Sequence, residues 1–366
     1  MSESLSLPPE LWLYIHRLAI PRTLLNAARS EDLAYVPSRD PFEKIDVQDA
    51  KSFAVVSRLW NGLAHELLYE NIPVPDDSGR FDRLRTALEH PANARLVRSI
   101  RLTTFRADHN AVVLALCTQV EVICHPGNNS GSNLIRPSRT ISSLPTFQSL
   151  KHVFWTESVM TSPPLRLILE AAPNVEHLVL QTPLHFELRQ EDRWTLPPLP
   201  RLRRLSCLVF TNHPVFRLDL QNLTRLACSP LHLRRPDFPT LPSLQTLELY
   251  GSFLGIDFSD RLARFPALRE LCYDVCNDAV PPSSEEPTHE ALEQLRLYSS
   301  AQVVRHWGFI EEHFALVLLP DFPLVKRLVL EGTWDSVVLD ERFRGFRDGL
   351  RKRGSRVEYP EGVVRS

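Results

Sequence analysis

Side chains able to do chemistry are spread thinly along this chain. Its six cysteines are Cys117, Cys124, Cys207, Cys228, Cys272 and Cys276, and only the last two lie close together. No second Cys or His pair stands at finger spacing, so no metal site is expected, and scattered cysteines of this kind read as buried free thiols in a reducing compartment. The 13 histidines have no regular partner. The spacings of a nucleophile elbow, a phosphate-binding glycine loop and a helical zinc-protease pair do not occur in the sequence, so no catalytic residue and no cofactor is expected.

What recurs is a recognition pattern: apolar, two polar, apolar, any, apolar. It stands at Val175-Glu176-His177-Leu178-Val179-Leu180, Leu244-Gln245-Thr246-Leu247-Glu248-Leu249 and Leu268-Arg269-Glu270-Leu271-Cys272-Tyr273. Further copies begin at Leu202, Leu223, Leu292 and Val325, with weaker ones at Val97, Val120 and Leu150. In a strand, the first apolar residue and those three and five later would point inward, and those two and four later would point out. The outward stripe then holds His152, His177, Arg204, Arg225, Glu248, Tyr250, Glu270, Asp274, Arg296 and Tyr298. It is basic near Arg204 and Arg225 and acidic from Glu248 to Asp274, a surface suited to reading a protein partner by electrostatic complementarity. This stripe is the candidate substrate-facing surface.

The elements that position the stripe follow from the same repeat. Its units recur every 21 to 33 residues, and the residue two before the first apolar one is Pro173, Pro200, Pro242, Pro266 or Pro323 in half of them. Proline cannot continue a helix and biases its predecessor to extended backbone, so it suits the boundary before a strand. That placement accounts for part of an unusual composition, 30 Pro against 12 Gly. Residues 165–172, 258–265 and 301–314 supply helix-like segments, and residues 343–353 read as a capping helix with a basic face. One unit cannot bury its own apolar face, whereas a stack of about ten can. Residues 125–143 and 277–290, rich in Pro, Ser, Asn or Glu, interrupt the rhythm as loops.

Residues 5–72 have another texture. Leu7, Leu11, Ile15 and Leu18 make one apolar helix face, and Phe53, Val56, Trp60, Leu63 and Leu67 make a second. Two or three short helices hold little core, so a partner surface is expected for them.

Two resemblances arise on these residues. The repeat resembles the leucine-rich repeat over residues 80–360, although the Asn or Cys expected after each strand stands only at Asn128 and Cys276. The amino-terminal segment resembles an F-box, of the F-box-like form common in fungal leucine-rich-repeat proteins. Leu7-Pro8-Pro9-Glu10-Leu11-Trp12, Ile15 and Leu18, then Val55-Val56-Ser57-Arg58-Leu59-Trp60 and Leu67-Leu68-Tyr69 carry that resemblance. Residues 22–45 are inserted between its halves, and Tyr69 replaces the commoner Trp. The expected fold is α/β: a short all-helical F-box-like head over residues 1–75, then an irregular leucine-rich-repeat solenoid of about ten units over 76–366. The resemblance implies a substrate-recognition adaptor of an SCF-type cullin-RING ubiquitin ligase. Leu7, Pro8, Leu11, Ile15, Leu18, Val56 and Trp60 would dock on a Skp-type adaptor and through it a cullin scaffold, and the solenoid would bind a protein substrate. A non-catalytic interaction scaffold whose head recruits no ligase is the alternative.

Global features narrow the partners. With 42 Lys+Arg against 44 Asp+Glu, the chain is not expected to bind nucleic acid in general. Its most apolar stretches, residues 111–116 and 314–319, are too short to cross a bilayer, so no membrane is expected. The start has no basic region followed by an apolar run, so no signal peptide is expected, and the location expected is intracellular, cytoplasmic or nuclear.

Overall fold

Wherever the described residues carry the apolar signature, they form a strand. The computed structural model describes residues 65–103, 106–125, 144–156, 163–180, 197–207, 220–233, 238–251, 262–275, 289, 291–299, 310–311, 313–314 and 325–359. The strands are β1 (Asn71–Pro73), β2 (Ser99–Arg101), β3 (Val122–His125), β4 (His152–Trp155), β5 (His177–Leu180) and β6 (Arg204–Cys207). They continue as β7 (Arg225–Cys228), β8 (Thr246–Leu249), β9 (Glu270–Asp274), β10 (Gln294–Ser299), β11 (Arg327–Gly332) and β12 (Arg356–Glu358). Helices are few: α1 (Ser78–Leu88), α2 (Pro91–Leu96), α3 (Ala107–Leu116), α4 (Pro163–Glu170), α5 (Pro230–Leu233), α6 (Asp335–Val338) and α7 (Glu341–Lys352).

This corrects the expected fold class. A short all-helical head followed by an irregular leucine-rich-repeat solenoid of about ten units is overturned by a twelve-stranded, parallel sheet whose strand order is the chain order. β1 falls inside the segment expected to be all-helical, and β12 forms without the apolar signature. The physical reason is that alternation marks a strand but says nothing of the return path. Among the described residues β6 to β9 are each entered through a β-turn. Leu202, Leu223, Leu244 and Leu268 each donate a backbone N–H to the carbonyl three residues back, at Leu199, Leu220, Leu241 and Phe265, over 2.9–3.2 Å. Pro200, Pro242 and Pro266 take the second position of these turns, where a fixed φ suits the bend. Four of the five prolines before strands are explained this way, Pro173 included, since Val175 donates to Ala172 at 3.4 Å; Pro323 lies outside the described residues.

The contacts divide the chain into two compact units, the first ending at Leu178 and the second beginning at Val179. In the first, β1 to β4 pair in parallel with Asn71 opposite Ser99, Ser99 opposite Val122 and Val122 opposite His152. Residues 65–70 are helical ahead of β1. The carboxylate of Asp77 caps α1 by accepting from the Arg80 N–H at 2.8 Å. Phe81 of α1 stacks at 3.7 Å on the buried His109 of α3, whose Nδ1 lies 2.8 Å from the Pro75 carbonyl oxygen.

In the second unit β6 to β12 pair in parallel, and their inward leucines 226, 247, 271, 295 and 328 share one register. Each is buried, and this row is the spine of the core. At the start of each strand one carbonyl accepts two successive N–H groups. Thr224 accepts from Gln245 and Thr246 at 2.8 and 3.0 Å, and Gln245 accepts from Arg269 and Glu270 at 2.9 Å each. The edge that begins the strands thus leaves few unpaired backbone groups. Gly332 closes β11 at φ 89°, against the Ser299 backbone, where a Cβ would collide with the Ser299 carbonyl. Asp340 caps α7, which buries Phe343 and Leu350 and stacks Phe346 on Phe314 at 4.4 Å. No helix among the described residues is long and apolar enough to cross a membrane.

Candidate functional site: the charged face of the second unit

Parallel strands in register place equivalent residues side by side, about 4.8 Å apart. A charge on one strand therefore meets whatever the neighbouring strand carries at that row or the next. In the second unit this rule builds three ion clusters on the outward face, of which the second and third are joined to each other. Arg225 of β7 donates from Nε to Glu248 Oε1 of β8 at 2.5 Å, and the Tyr250 hydroxyl donates to Glu248 Oε2 at 2.7 Å. The Glu248 side chain is 4% exposed and that of Arg225 22%, so Glu248 lies on the outward face yet is closed off by its partners. Burial first, and then the Glu248 charge, push the Tyr250 hydroxyl far up, so it stays protonated as a donor.

The second cluster centres on Glu270 of β9. It accepts from Thr246 Oγ1 at 3.3 Å, from Gln294 Nε2 at 3.0 Å and from the Arg296 guanidinium. Arg296 also reaches Glu331 Oε1 at 3.2 Å. Burial works to lower the Arg296 pKa, but Glu270 and Glu331 outweigh it and raise the value. Burial raises Glu331, against the pull of Arg296, and Glu248 and Glu270 add to the rise. One guanidinium shared by two carboxylates leaves an acidic excess, and Asp274 and Glu331 flank Tyr298 in register.

In the third cluster Arg327 grips Glu358 with two hydrogen bonds, Nε to Oε1 at 3.0 Å and Nη2 to Oε2 at 2.6 Å. Its Nη1 donates to Gln294 Oε1 at 2.8 Å, which joins this cluster to the second. The two-pronged bond lowers the Glu358 pKa, and Arg356 adds a contact at 2.7 Å. At the edge where the strands begin, Gln245, Thr246, Arg269, Glu270, Glu293, Gln294, Lys326 and Arg327 line a pocket of about 280 Å³.

The residues expected on the stripe all lie on or beside a strand: His152 on β4, His177 on β5, Arg204 on β6, Arg225 on β7, Glu248 on β8 with Tyr250 just after it, Glu270 and Asp274 on β9, and Arg296 and Tyr298 on β10. The structure joins Arg225, Glu248 and Tyr250, and it joins Glu270 with Arg296. In the first unit His152 and His177 meet edge to face at 5.9 Å, and Phe154 lies 5.3 Å from His177. Leu7, Pro8, Leu11, Ile15, Leu18, Val56 and Trp60 lie outside the described residues.

Sequence reasoning missed Thr246, Gln294, Arg327, Glu331 and Glu358. The first four occupy outward rows of the same register and were within reach of it. Glu358 was not, because β12 is three residues long and has no repeat signature. Cys272 also faces outward, between Glu248 and Arg296 in register. Burial first, then Glu248, hold its thiol well above the ordinary value, which disfavours the thiolate. The described cysteines are all free and buried, and burial raises Cys117 to about 12. Among the described residues no three His, Cys, Asp or Glu side chains converge as a metal site. No protein-family model matches the chain, and neither does any curated protein sequence.

Proposed function

We propose that this chain is a substrate-recognition adaptor of an SCF-type ubiquitin ligase. Its F-box-like amino-terminal segment docks on a Skp-type adaptor, and the charged face of the second unit captures a protein substrate. The observation that carries the capture half is the set of three ion clusters between Arg225 and Arg356. It fixes charged and hydrogen-bonding groups of both signs in register across six neighbouring strands. Groups held rigidly before a partner arrives lose little freedom on binding, which favours selective recognition. The docking half rests on the Leu7-Pro8 turn, the Leu11, Ile15 and Leu18 face, and the Val56 and Trp60 stretch. Ubiquitin transfer is the work of the partner subunits in this reading, in the cytoplasm or nucleus.

Co-precipitation of the full chain with a recombinant Skp-type adaptor tests the docking half. Wild type is expected to bind, and Leu7→Ala, Pro8→Ala and Ile15→Ala together are expected to reduce capture by about tenfold or more. No binding by wild type, or undiminished binding by the triple variant, rejects it. A chain that binds a substrate but no adaptor is an interaction scaffold and no ligase subunit.

A further inference from the structure

The edge at which the strands of the second unit begin carries a charge the ion clusters do not absorb. Arg203, Arg269 and Lys326 each stand one residue before the start of a strand, and Arg201 lies in the turn before β6. All four are exposed, and among the described residues none has an ion-pair partner. Arg269 and Lys326 help to line the 280 Å³ pocket, while Arg201 and Arg203 stand just before β6, two strands from its lining on β8. Two acids interrupt this edge, Glu270 and Glu293. Glu270 is already bound to Arg296, so the edge stays basic where the middle of the face is acidic.

We infer that this edge docks an extended acidic segment of the protein substrate, lying across the strands from β6 to β11. This deepens the capture half of the proposed function and rests on it. Five strand steps of about 4.8 Å span about 24 Å, the length of about seven extended residues. Cations at Arg201, Arg203, Arg269 and Lys326 would meet spaced carboxylates, and the pocket would take one side chain among its amide and hydroxyl groups. A uniformly charged polyanion fits worse, because Glu293 stands in the row between Arg269 and Lys326 and would meet a phosphate there. Among the described residues the pocket on this edge also presents no aromatic ring for a base to stack on.

The probe is a fluorescein-labelled peptide of about ten residues, aspartate alternating with serine, titrated with the purified full chain and followed by fluorescence anisotropy. Saturable binding is expected that weakens as salt rises. Arg201→Glu, Arg203→Glu, Arg269→Glu and Lys326→Glu together are expected to weaken it by about tenfold or more. If that variant loses its circular-dichroism signal, the four Gln substitutions replace it, with a loss of about threefold expected. No saturable binding by wild type, equal affinity of the folded variant, or equal affinity for a lysine–serine peptide overturns the inference. So does tighter binding of a single-stranded oligonucleotide of the same length. Adaptor capture is measured on the same preparations: peptide binding without adaptor capture sinks the ligase reading alone, and adaptor capture without peptide binding sinks this inference alone.

Discussion

The two units use one strand pattern and put opposite chemistry on its outward face. In the first unit the outward positions Ser99, Val122, Cys124 and Phe154 are uncharged and between 0% and 5% exposed, beside the half-buried Arg101, His152 and His177. In the second, outward Glu248 and Cys272 are as closed off, but Arg225 and Arg296 at 22% and 20% exposure pair with Glu248 and Glu331. Inward positions do not differ in this way: Leu150, Val153 and Trp155 are as fully buried as Leu244, Leu247 and Leu249. The inward rows must fill a close-packed core, which tolerates few side chains. The outward rows are constrained only by their neighbours across the strands, so they are where the units diverge and where recognition belongs.

The largest expected effect tests whether the inward rows are alike. Trp155 of the first unit is fully buried and stacks on His125 at 4.2 Å. Trp155→Ala should cost about 3–5 kcal/mol, and Leu247→Ala in the second unit about 2–5 kcal/mol, both read from chemical denaturation. A loss under about 1 kcal/mol at either position would mean that the inward row of that unit is not a packed core.

An intermediate effect tests whether the charged face is structural as well as exposed. Glu248→Ala removes the acceptor of both Arg225 and Tyr250. Loss of these two bonds to a largely buried hydroxyl and a partly exposed guanidinium should cost about 2 kcal/mol, less than for a fully buried pair because water reaches Arg225. Glu248→Gln keeps an acceptor oxygen and should lose about half as much. The two variants separate on thermal denaturation if the network holds the sheet. If both stay within about 0.5 kcal/mol of wild type, the outward rows of the second unit are a solvated surface, and the contrast between the units reduces to composition.

How much of this was legible follows from where each signal lives. Leu244, Leu247 and Leu249 alternate within one strand, so a single stretch of sequence reveals them. Leu199, Leu241 and Phe265 belong to the same buried core. They sit across a proline turn, where alternation stops, and were not read. Pairing was hidden for another reason. Arg225 and Glu248 are 23 residues apart, and their bond runs diagonally between rows, so it follows only once the strand register is known. Glu358 stayed illegible because β12 exists by pairing with β11, with no apolar pattern of its own. The stripe was legible as a list of positions, and which of its members bind one another was not.

The smallest expected effect tests what the two units share, the turn that leads into each strand. In the second unit Pro242 holds the turn that Leu244 closes onto Leu241 at 3.2 Å. In the first, Gln148 occupies the equivalent place, and Leu150 closes onto Phe147 at 3.4 Å. Proline here narrows the unfolded ensemble without adding a contact, so Pro242→Ala should cost about 0.4–1 kcal/mol and Gln148→Pro should gain a similar amount. The Gln148 amide makes no backbone hydrogen bond among the described residues, so proline forfeits none there. Its side-chain oxygen accepts only a long bond of 3.4 Å from Asn174, while the Asn174 bond to the Gln148 carbonyl, at 2.8 Å, survives the substitution. Opposite signs of comparable size in denaturant melts would establish one turn geometry in both units. A destabilising Gln148→Pro would show that the first unit enters its strands by a different bend, and the difference between the units would then begin before the outward face.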